Sequence, residues 1–470
     1  MFDHWHEECG VFAVYGHPEA PNVANLGIFA LQHRGQESAG IASSDGVKID
    51  YVKAMGHVAD IFTPGVVSTL HGDKAIGHTR YSTTGESGEL NAQPLCAATN
   101  KGYVALAHNG NITNGMDIRR ALVEEGAIFS ATSDTEVVLH LISRSRERTV
   151  PTALRDALLQ LEGAFSLVLL SKDEVIVARD PHGFRPLVMG YMEIPGHKMC
   201  YVFASETCAF DLIGAVYLSS VEPGEMVIVN ADGVTRERFA PHRRKAQCVF
   251  EHVYFSRPDS IVFGRPVVES RELMGRLLAM HQPVEADVVV PVPDSGVAAA
   301  LGYAAESGIP FRMGLIRNHH VGRTFIEPSQ AIRDFGVKLK LNPVRHLLKD
   351  KRVILVDDSI VRGTTSRKIV RMVRNAGARE VHLRISCPPT IAPCFYGVDT
   401  PVKSELIAAN HTVDEIRRYV EADSLAYLPL AGLREAVQDH NDEYCYACYT
   451  EDYPTDFVNL EELTSAKAHR

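Results

Sequence analysis

At 470 residues, with 45% hydrophobic and 23% charged side chains, the chain is too long for one compact core and suits two or three globular domains. A formal net charge of -10 argues against a broad nucleic-acid footprint, which needs a basic face, but leaves room for local basic pockets around phosphorylated ligands. No apolar stretch is long enough to cross a bilayer, and Asp3, Glu7 and Glu8 stand where a secretory signal would be basic and then apolar, so a cytoplasmic protein with reduced or metal-bound cysteines is expected.

The first element is the apolar run that starts at Cys9 in "CGVFAVYG", behind a short acidic leader. Cys9 reads as a core thiol or as a nucleophile. If residues 1–8 were removed, Cys9 would carry a free α-amino group, whose pKa of about 7.7–8.0 suits a general base for its own side chain. Short strands separated by Gly, Asn and Asp turns then run to about residue 235, with helical patterns such as "DTEVVLHLISRS" and "TALRDALLQLEG" between them. "LQHRGQESAG" supplies Arg34 and "GHTRYSTTG" supplies Arg80, whose guanidinium could grip an α-carboxylate. "AHNGN" offers the Asn109 carboxamide and the Gly110 N–H as an oxyanion hole, although Asn-Gly is equally a hairpin turn. "TSDTE" offers Asp134 for an α-ammonium group, although Ser133 and Glu136 have the spacing of a helix capping box.

The charged stretch 236–247 breaks the periodicity and reads as a domain boundary. Beyond it, strand and helix alternate as in a doubly wound parallel sheet. "VILVDDSIVRGTT" places Asp357 and Asp358 at the end of a buried strand, then Arg362, Gly363, Thr364 and Thr365 at the start of a helix. This order suits a phosphate at the helix N-terminus and carboxylates on ribose hydroxyls or Mg²⁺. "PVPDSG" adds Asp294, Ser295 and Gly296 as a second nest at a strand end. The basic, poorly periodic segment 317–345 reads as a lid with Arg317, Arg323 and Arg333 as candidate contacts, or as a solvated loop.

The second set of motifs resembles the type I phosphoribosyltransferases, with "VILVDDSIVRGTT" in the place of their signature for phosphoribosyl pyrophosphate. The first set, "CGVFAVYG", "LQHRGQESAG", "GHTRYSTTG", "HNGNITN" and "SDTE", follows the order of class II glutamine amidotransferase domains, and "DPHGFRPL" and "ASE" fit that pattern. Together they resemble the amidophosphoribosyltransferase family. The resemblance implies a removed leader at 1–8, a four-layer αββα N-terminal-nucleophile hydrolase domain at 9–235, and a type I phosphoribosyltransferase domain at 248–470 with a helical C-terminal segment. It also implies glutamine and phosphoribosyl pyrophosphate as substrates, Mg²⁺ near Ser295, Asp357 and Asp358, purine nucleotides as inhibitors, a homotetramer, and no nucleic-acid or membrane partner. Tyr254, in "FEHVYFSRPDS", is the expected link between the two sites. A phosphoribosyl-pyrophosphate sensor without catalysis and an iron–sulfur redox protein are the competing readings.

Nine cysteines remain to be placed, and Cys445 and Cys448 have a metal-ligand or redox spacing. On chemistry alone four thiolates suit Zn²⁺ or a [4Fe–4S] cluster equally. The iron–sulfur branch of the resembled family implies the cluster, with Cys248, Cys394, Cys445 and Cys448 as its ligands. Cys96, Cys200 and Cys208 read as core thiols, and Cys387 falls outside the ligand motif.

Overall fold

The computed structural model of the chain describes residues 9–81, 88–318, 341–457 and Thr464. The leader 1–8 and the lid candidates Arg323 and Arg333 lie outside the described residues.

The first half contributes thirteen strands: β1 (Gly10–Tyr15), β2 (Ser38–Ser44), β3 (Ile49–Met55), β4 (Lys74–Arg80), β5 (Leu95–Thr99), β6 (Gly102–Ile112), β7 (Gly163–Ser171), β8 (Val175–Arg179), β9 (Val188–Met192), β10 (Cys200–Ala204), β11 (Val216–Ser220), β12 (Glu225–Asn230) and β13 (Gly233–Arg238). They form two sheets, ordered β11-β9-β10-β1-β4-β2-β3 and β13-β12-β8-β7-β6-β5. Val11, Ala13 and Ile76 of one sheet and Ala107, Val168 and Val177 of the other fill a core between the inner faces. Helix Ala20–Ala30 covers the outer face of the first sheet, and helices Glu136–Arg144 and Val150–Leu158 cover that of the second. The result is the expected four-layer αββα sandwich. Packing on the first outer face is close. A Cβ at Gly27 would fall 2.4 Å from the Phe12 ring, so only glycine lets the helix lie on β1 at this distance. Phe12 is fully buried there, and its truncation to alanine costs about 3–5 kcal/mol. β13 stays paired with β12 through Arg238, past the boundary expected at 235.

The second half holds β14 (Gln247–Cys248), the pair β15 (Ile261–Val262) and β16 (Arg265–Pro266), β17 (Val288–Pro291), the pair β18 (Leu315–Arg317) and β19 (Leu341–Pro343), then β20 (Arg352–Asp357), β21 (Glu380–Ile385), β22 (Ser424–Tyr427) and β23 (Tyr444–Cys445). β17, β20, β21 and β22 form a parallel sheet in that order. A parallel bridge from Val289 to Phe311 extends it on the far side of β17, so the chain steps outward first and then returns to β20. The order therefore reverses between β17 and β20, and the loops 291–296 and 357–365 leave the sheet at this switch point, where open α/β sheets bind ligands. The last strand of this sheet, β22, lies inside the C-terminal segment expected to be helical; four residues are too few to show an alternating pattern. No helix among the described residues is long and apolar enough to cross a membrane.

Candidate active sites

Cys9 sits at the entry to β1, where Gly10 faces Thr79 of β4 and Arg80 faces Ser38 of β2. A Cβ at Gly10 would stand 2.8 Å from the Thr79 hydroxyl, so a small residue must follow the cysteine. The thiol is buried and donates to the Tyr81 carbonyl at 3.6 Å. Burial pushes it up to about 11; the Arg80 charge pulls it down, while Asp134 and Glu37 raise it. Cys9, Arg80 and Asp134, which are far apart in sequence, thus share one electrostatic neighbourhood.

The other wall comes from the second sheet. Asn109 and Gly110 lie inside the long strand β6, opposite Ser166 and Phe165 of β7, and do not form a hairpin turn. Gly110 has φ +143°, and a Cβ there would fall 2.1 Å from the Ala164 carbonyl. Asn109 is fully buried, and neither its carboxamide nitrogen nor its oxygen has a partner among the described residues. Such a group carries the desolvation cost of an unmade hydrogen bond, and a ligand oxygen at this place would offset it. Behind it, the His108 carbonyl meets the His78 ring nitrogen Nε2 at 3.1 Å, and the Gln93 side chain accepts the His108 N–H at 2.7 Å. Asp134 accepts the Ile112 N–H at 2.8 Å through Oδ2. The alternative capping box is not formed, because Glu136 turns its carboxylate onto Ser130 and Ala131.

Arg34 departs from the expected substrate contact. It is buried, its Nε donates to the Cys9 carbonyl at 3.2 Å, and its terminal nitrogens reach Glu206 at 2.5 Å and Glu251 at 2.8 and 3.0 Å. A guanidinium this enclosed must have carboxylate partners, and it has two. Glu206 also takes the His33 ring nitrogen at 2.7 Å, the Arg257 N–H and the Ser260 hydroxyl. Despite its burial, His33 and Arg34 hold its carboxyl down at about 2. Glu251 is further held by Arg185 and Ser256. The sequence reading did not assign Glu206, Glu251 or Arg185; the available signal was a charge inside an apolar aromatic run, "CVFEHVYF". Tyr254 lies in the same π-helical turn Glu251–Phe255, its ring 5.6 Å from that of Phe255.

At the switch point of the second half, Asp357 ends β20 and is buried beside Asp358, which donates its N–H to Asp357 at 3.0 Å. Burial first, then the Asp358 charge, raises the Asp357 carboxyl well above the usual range. Ser295 donates to Asp358 at 2.6 Å and so joins the two loops. Gly296 permits this approach, since a Cβ there would stand 2.4 Å from the Val356 carbonyl. Gly363, at φ +79°, precedes the helix Thr364–Asn375, whose first N–H groups open toward the same end of the sheet; Thr365 is buried at its start. Asp294 and Arg317 pair with each other at 2.5 Å, and Arg362 donates to Glu405 at 2.9 Å.

Cys248 and Cys445 are opposite one another in the parallel pair β14–β23. The Cys448 carbonyl accepts the N–H groups of Ile391 and Ala392, which brings the Cys394 loop alongside, and the Cys394 sulfur accepts the Tyr396 N–H at 3.3 Å. All four are partly buried and unpaired. The donor set suits a thiolate-bound metal group, yet among the described residues no three His, Cys, Asp or Glu side chains stand close enough to hold a metal ion. Cys387 is buried, donating to the Pro388 carbonyl, and Cys200 and Cys208 are core thiols as expected. Cys96 is only half-buried, on the edge strand β5.

Comparison with known proteins agrees with this geometry. A glutamine amidotransferase domain model matches residues 78–211, and a phosphoribosyl transferase domain model matches residues 269–392. The amidophosphoribosyltransferase of Vigna aconitifolia, named as chloroplastic, is 54% identical over 98% of this chain and 94% of its own length. That of Bacillus subtilis is 49% identical over 98% of this chain and 97% of its own. The solved glutamine phosphoribosylpyrophosphate amidotransferase from B. subtilis, complexed with ADP and GMP, superposes with a TM-score of 0.90 at 48% identity, covering 96% of this chain and 98% of its own. Both halves are matched, and the relatives align nearly end to end: the chain belongs to the amidophosphoribosyltransferase family.

Proposed function

We propose that the two sites act in sequence, the first releasing ammonia from glutamine and the second transferring it to C1 of phosphoribosyl pyrophosphate. The products are glutamate, 5-phosphoribosylamine and pyrophosphate, and the reaction opens de novo purine synthesis. The unpartnered Asn109 carboxamide, buried beside Gly110, carries the reading of the first site.

Removal of residues 1–8 gives Cys9 an α-amino group that takes the thiol proton. Cys9 sulfur attacks the side-chain amide carbon of glutamine. Asn109 and Gly110 hold the oxyanion; the C–N bond breaks and ammonia departs with the proton. Water then attacks the thioester, releasing glutamate and restoring the thiol. Arg80 takes the substrate α-carboxylate and Asp134 its α-ammonium group. Arg34, spent on Glu206 and Glu251, positions Cys9 from beneath.

In the second half, Asp294, Ser295 and Gly296 receive the pyrophosphate. Arg362, Gly363, Thr364 and Thr365 receive the 5′-phosphate end, and Asp357 and Asp358 hold the ribose hydroxyls. Ammonia attacks C1 as the bond to pyrophosphate breaks. Ser295, Asp357 and Asp358 would hold Mg²⁺, which when bound offsets the leaving group's charge. The Asp357 and Asp358 carboxyls, side by side at the end of β20 and tied to Ser295 across the two loops, support this placement.

Cys248, Cys394, Cys445 and Cys448 lie on neighbouring segments and are the residues that would hold a [4Fe–4S] cluster, once their side chains drew closer than they stand here. Nine unpaired cysteines support a reducing, cytoplasmic setting. The ADP and GMP of the B. subtilis relative support purine nucleotides as feedback ligands. The homotetramer belongs to the same reading, with Tyr254 at the junction of the two sites. Glutamate release from glutamine tests the first step: it should vanish in Cys9→Ala, and its persistence would remove Cys9 as the nucleophile.

A further inference from the structure

The loop between the two halves is fastened on both sides. On the glutaminase side, Glu251 takes Arg34 in a two-point contact at 2.8 and 3.0 Å and is joined by Arg185. The other end of Arg34 holds the Cys9 carbonyl. On the phosphoribosyl side, the buried Arg271, from helix Val267–His281, donates to the carbonyls of His252 and Ser256 at 2.8 and 2.7 Å. These carbonyls lie within and directly after the turn that carries Glu251, and Ser256 donates back to the Glu251 carboxylate at 2.5 Å. Burial lowers the Arg271 pKa to about 10, and the Asp358 charge acts against that shift. Hydrogen bonds thus run from helix Val267–His281 of the second half, through the turn that carries Glu251, to Arg34 and the Cys9 carbonyl.

We propose that Glu251 is a positioning residue for the glutaminase reaction, holding Arg34 and through it the Cys9 backbone, and that Arg271 joins this support to helix Val267–His281 of the second half. With Glu251 in place, Arg34 is neutralised and directed at Cys9. Without it, the buried guanidinium loses a two-point carboxylate contact, and the Cys9 carbonyl loses a fixed donor. The consequence falls on orientation of the thiol, a step on which small displacements are costly. It does not fall on transfer of free ammonia, whose groups all lie in the second half. This inference rests on Cys9 being the nucleophile.

The test uses the full-length processed protein. In Glu251→Gln, glutamine-dependent kcat should drop by about tenfold to hundredfold with KM for glutamine little changed, while the ammonia-dependent rate holds within about twofold. Ser256→Ala, which removes one hydrogen bond and no charge, should lower the glutamine rate in the same sense but less, and Glu251→Asp should recover part of it. The rate of Cys9 alkylation by iodoacetamide supplies a readout independent of turnover. Adding phosphoribosyl pyrophosphate with Mg²⁺ should change that rate in the wild type and leave it unchanged in Glu251→Gln. Equal loss of both donor rates in Glu251→Gln and in Ser256→Ala would make Glu251 merely structural, and wild-type behaviour of both would overturn the proposal. If Cys9→Ala itself kept the glutamine rate, the fault would lie in the assignment of the nucleophile instead.

Discussion

Asn111 donates its side-chain N–H to the Phe395 carbonyl at 2.8 Å, across the boundary between the two halves. Asn111 follows the oxyanion candidates Asn109 and Gly110 on β6, and Phe395 follows Cys394. Gly397 of the same loop lies against Gly110, so close that a Cβ at Gly397 would be 3.0 Å from the Gly110 backbone. The wall of the glutaminase site is thus backed by the loop that carries a candidate cluster ligand. Gly397→Ala, strained at φ +108° as well as crowded, should lower the glutamine-dependent kcat by about tenfold and spare the ammonia-dependent rate. Steady-state kinetics with each donor decides it; an unchanged glutamine rate would show that the loop does not set the oxyanion geometry.

Asn109→Ala removes the carboxamide that has no partner within the described protein. If its amide meets the oxyanion, kcat with glutamine should fall by about 100- to 1,000-fold. Stability should hold or rise slightly, because an unsatisfied buried group is lost. A thermal melt and glutaminase kinetics on one sample check both statements.

In the phosphoribosyl site, Asp358 connects Ser295, Asp357 and Ser359. Asp358→Asn should depress pyrophosphate release about 100-fold or more with either nitrogen donor. A variant that lost only the glutamine rate would place Asp358 elsewhere in the cycle.

His78 and His252 are each fully buried, and burial lowers both to about 3. The fold therefore holds them neutral while the unfolded chain takes up protons below about pH 6.5, so stability is lost as pH falls through that value. Glu206, held down at about 2, adds to the loss below its ordinary value of 4.5. Asp180, raised to about 6 by burial, works in the opposite direction over a narrower range. Tm measured from pH 7.5 down to 4.5 should fall steadily, and His252→Asn should flatten the dependence. A Tm independent of pH across this window would contradict the assignment.

Much of the architecture was legible because it rests on local pattern. β1, β6 and β20 announce themselves as apolar runs, and the Gly363 turn with its following helix follows from residue types alone. The reversal at the switch point was not legible, since the far-side bridge at Phe311 is a single residue. Arg34 shows the limit for function. An arginine in a loop motif reads naturally as a ligand contact, and what claims it instead is a carboxylate 217 positions away. Pairing over such a span leaves no periodic trace; only the incongruity of Glu251 among aromatic neighbours hints at it.

Pyrophosphate release from phosphoribosyl pyrophosphate and Mg²⁺, with glutamine and ammonia supplied separately, tests most directly whether two sites are coupled in one chain. Release with both donors in the wild type, and with ammonia alone in Cys9→Ala, is the predicted result. Release with neither donor, from protein whose N-terminus is Cys9 and whose metal content is complete, would contradict it.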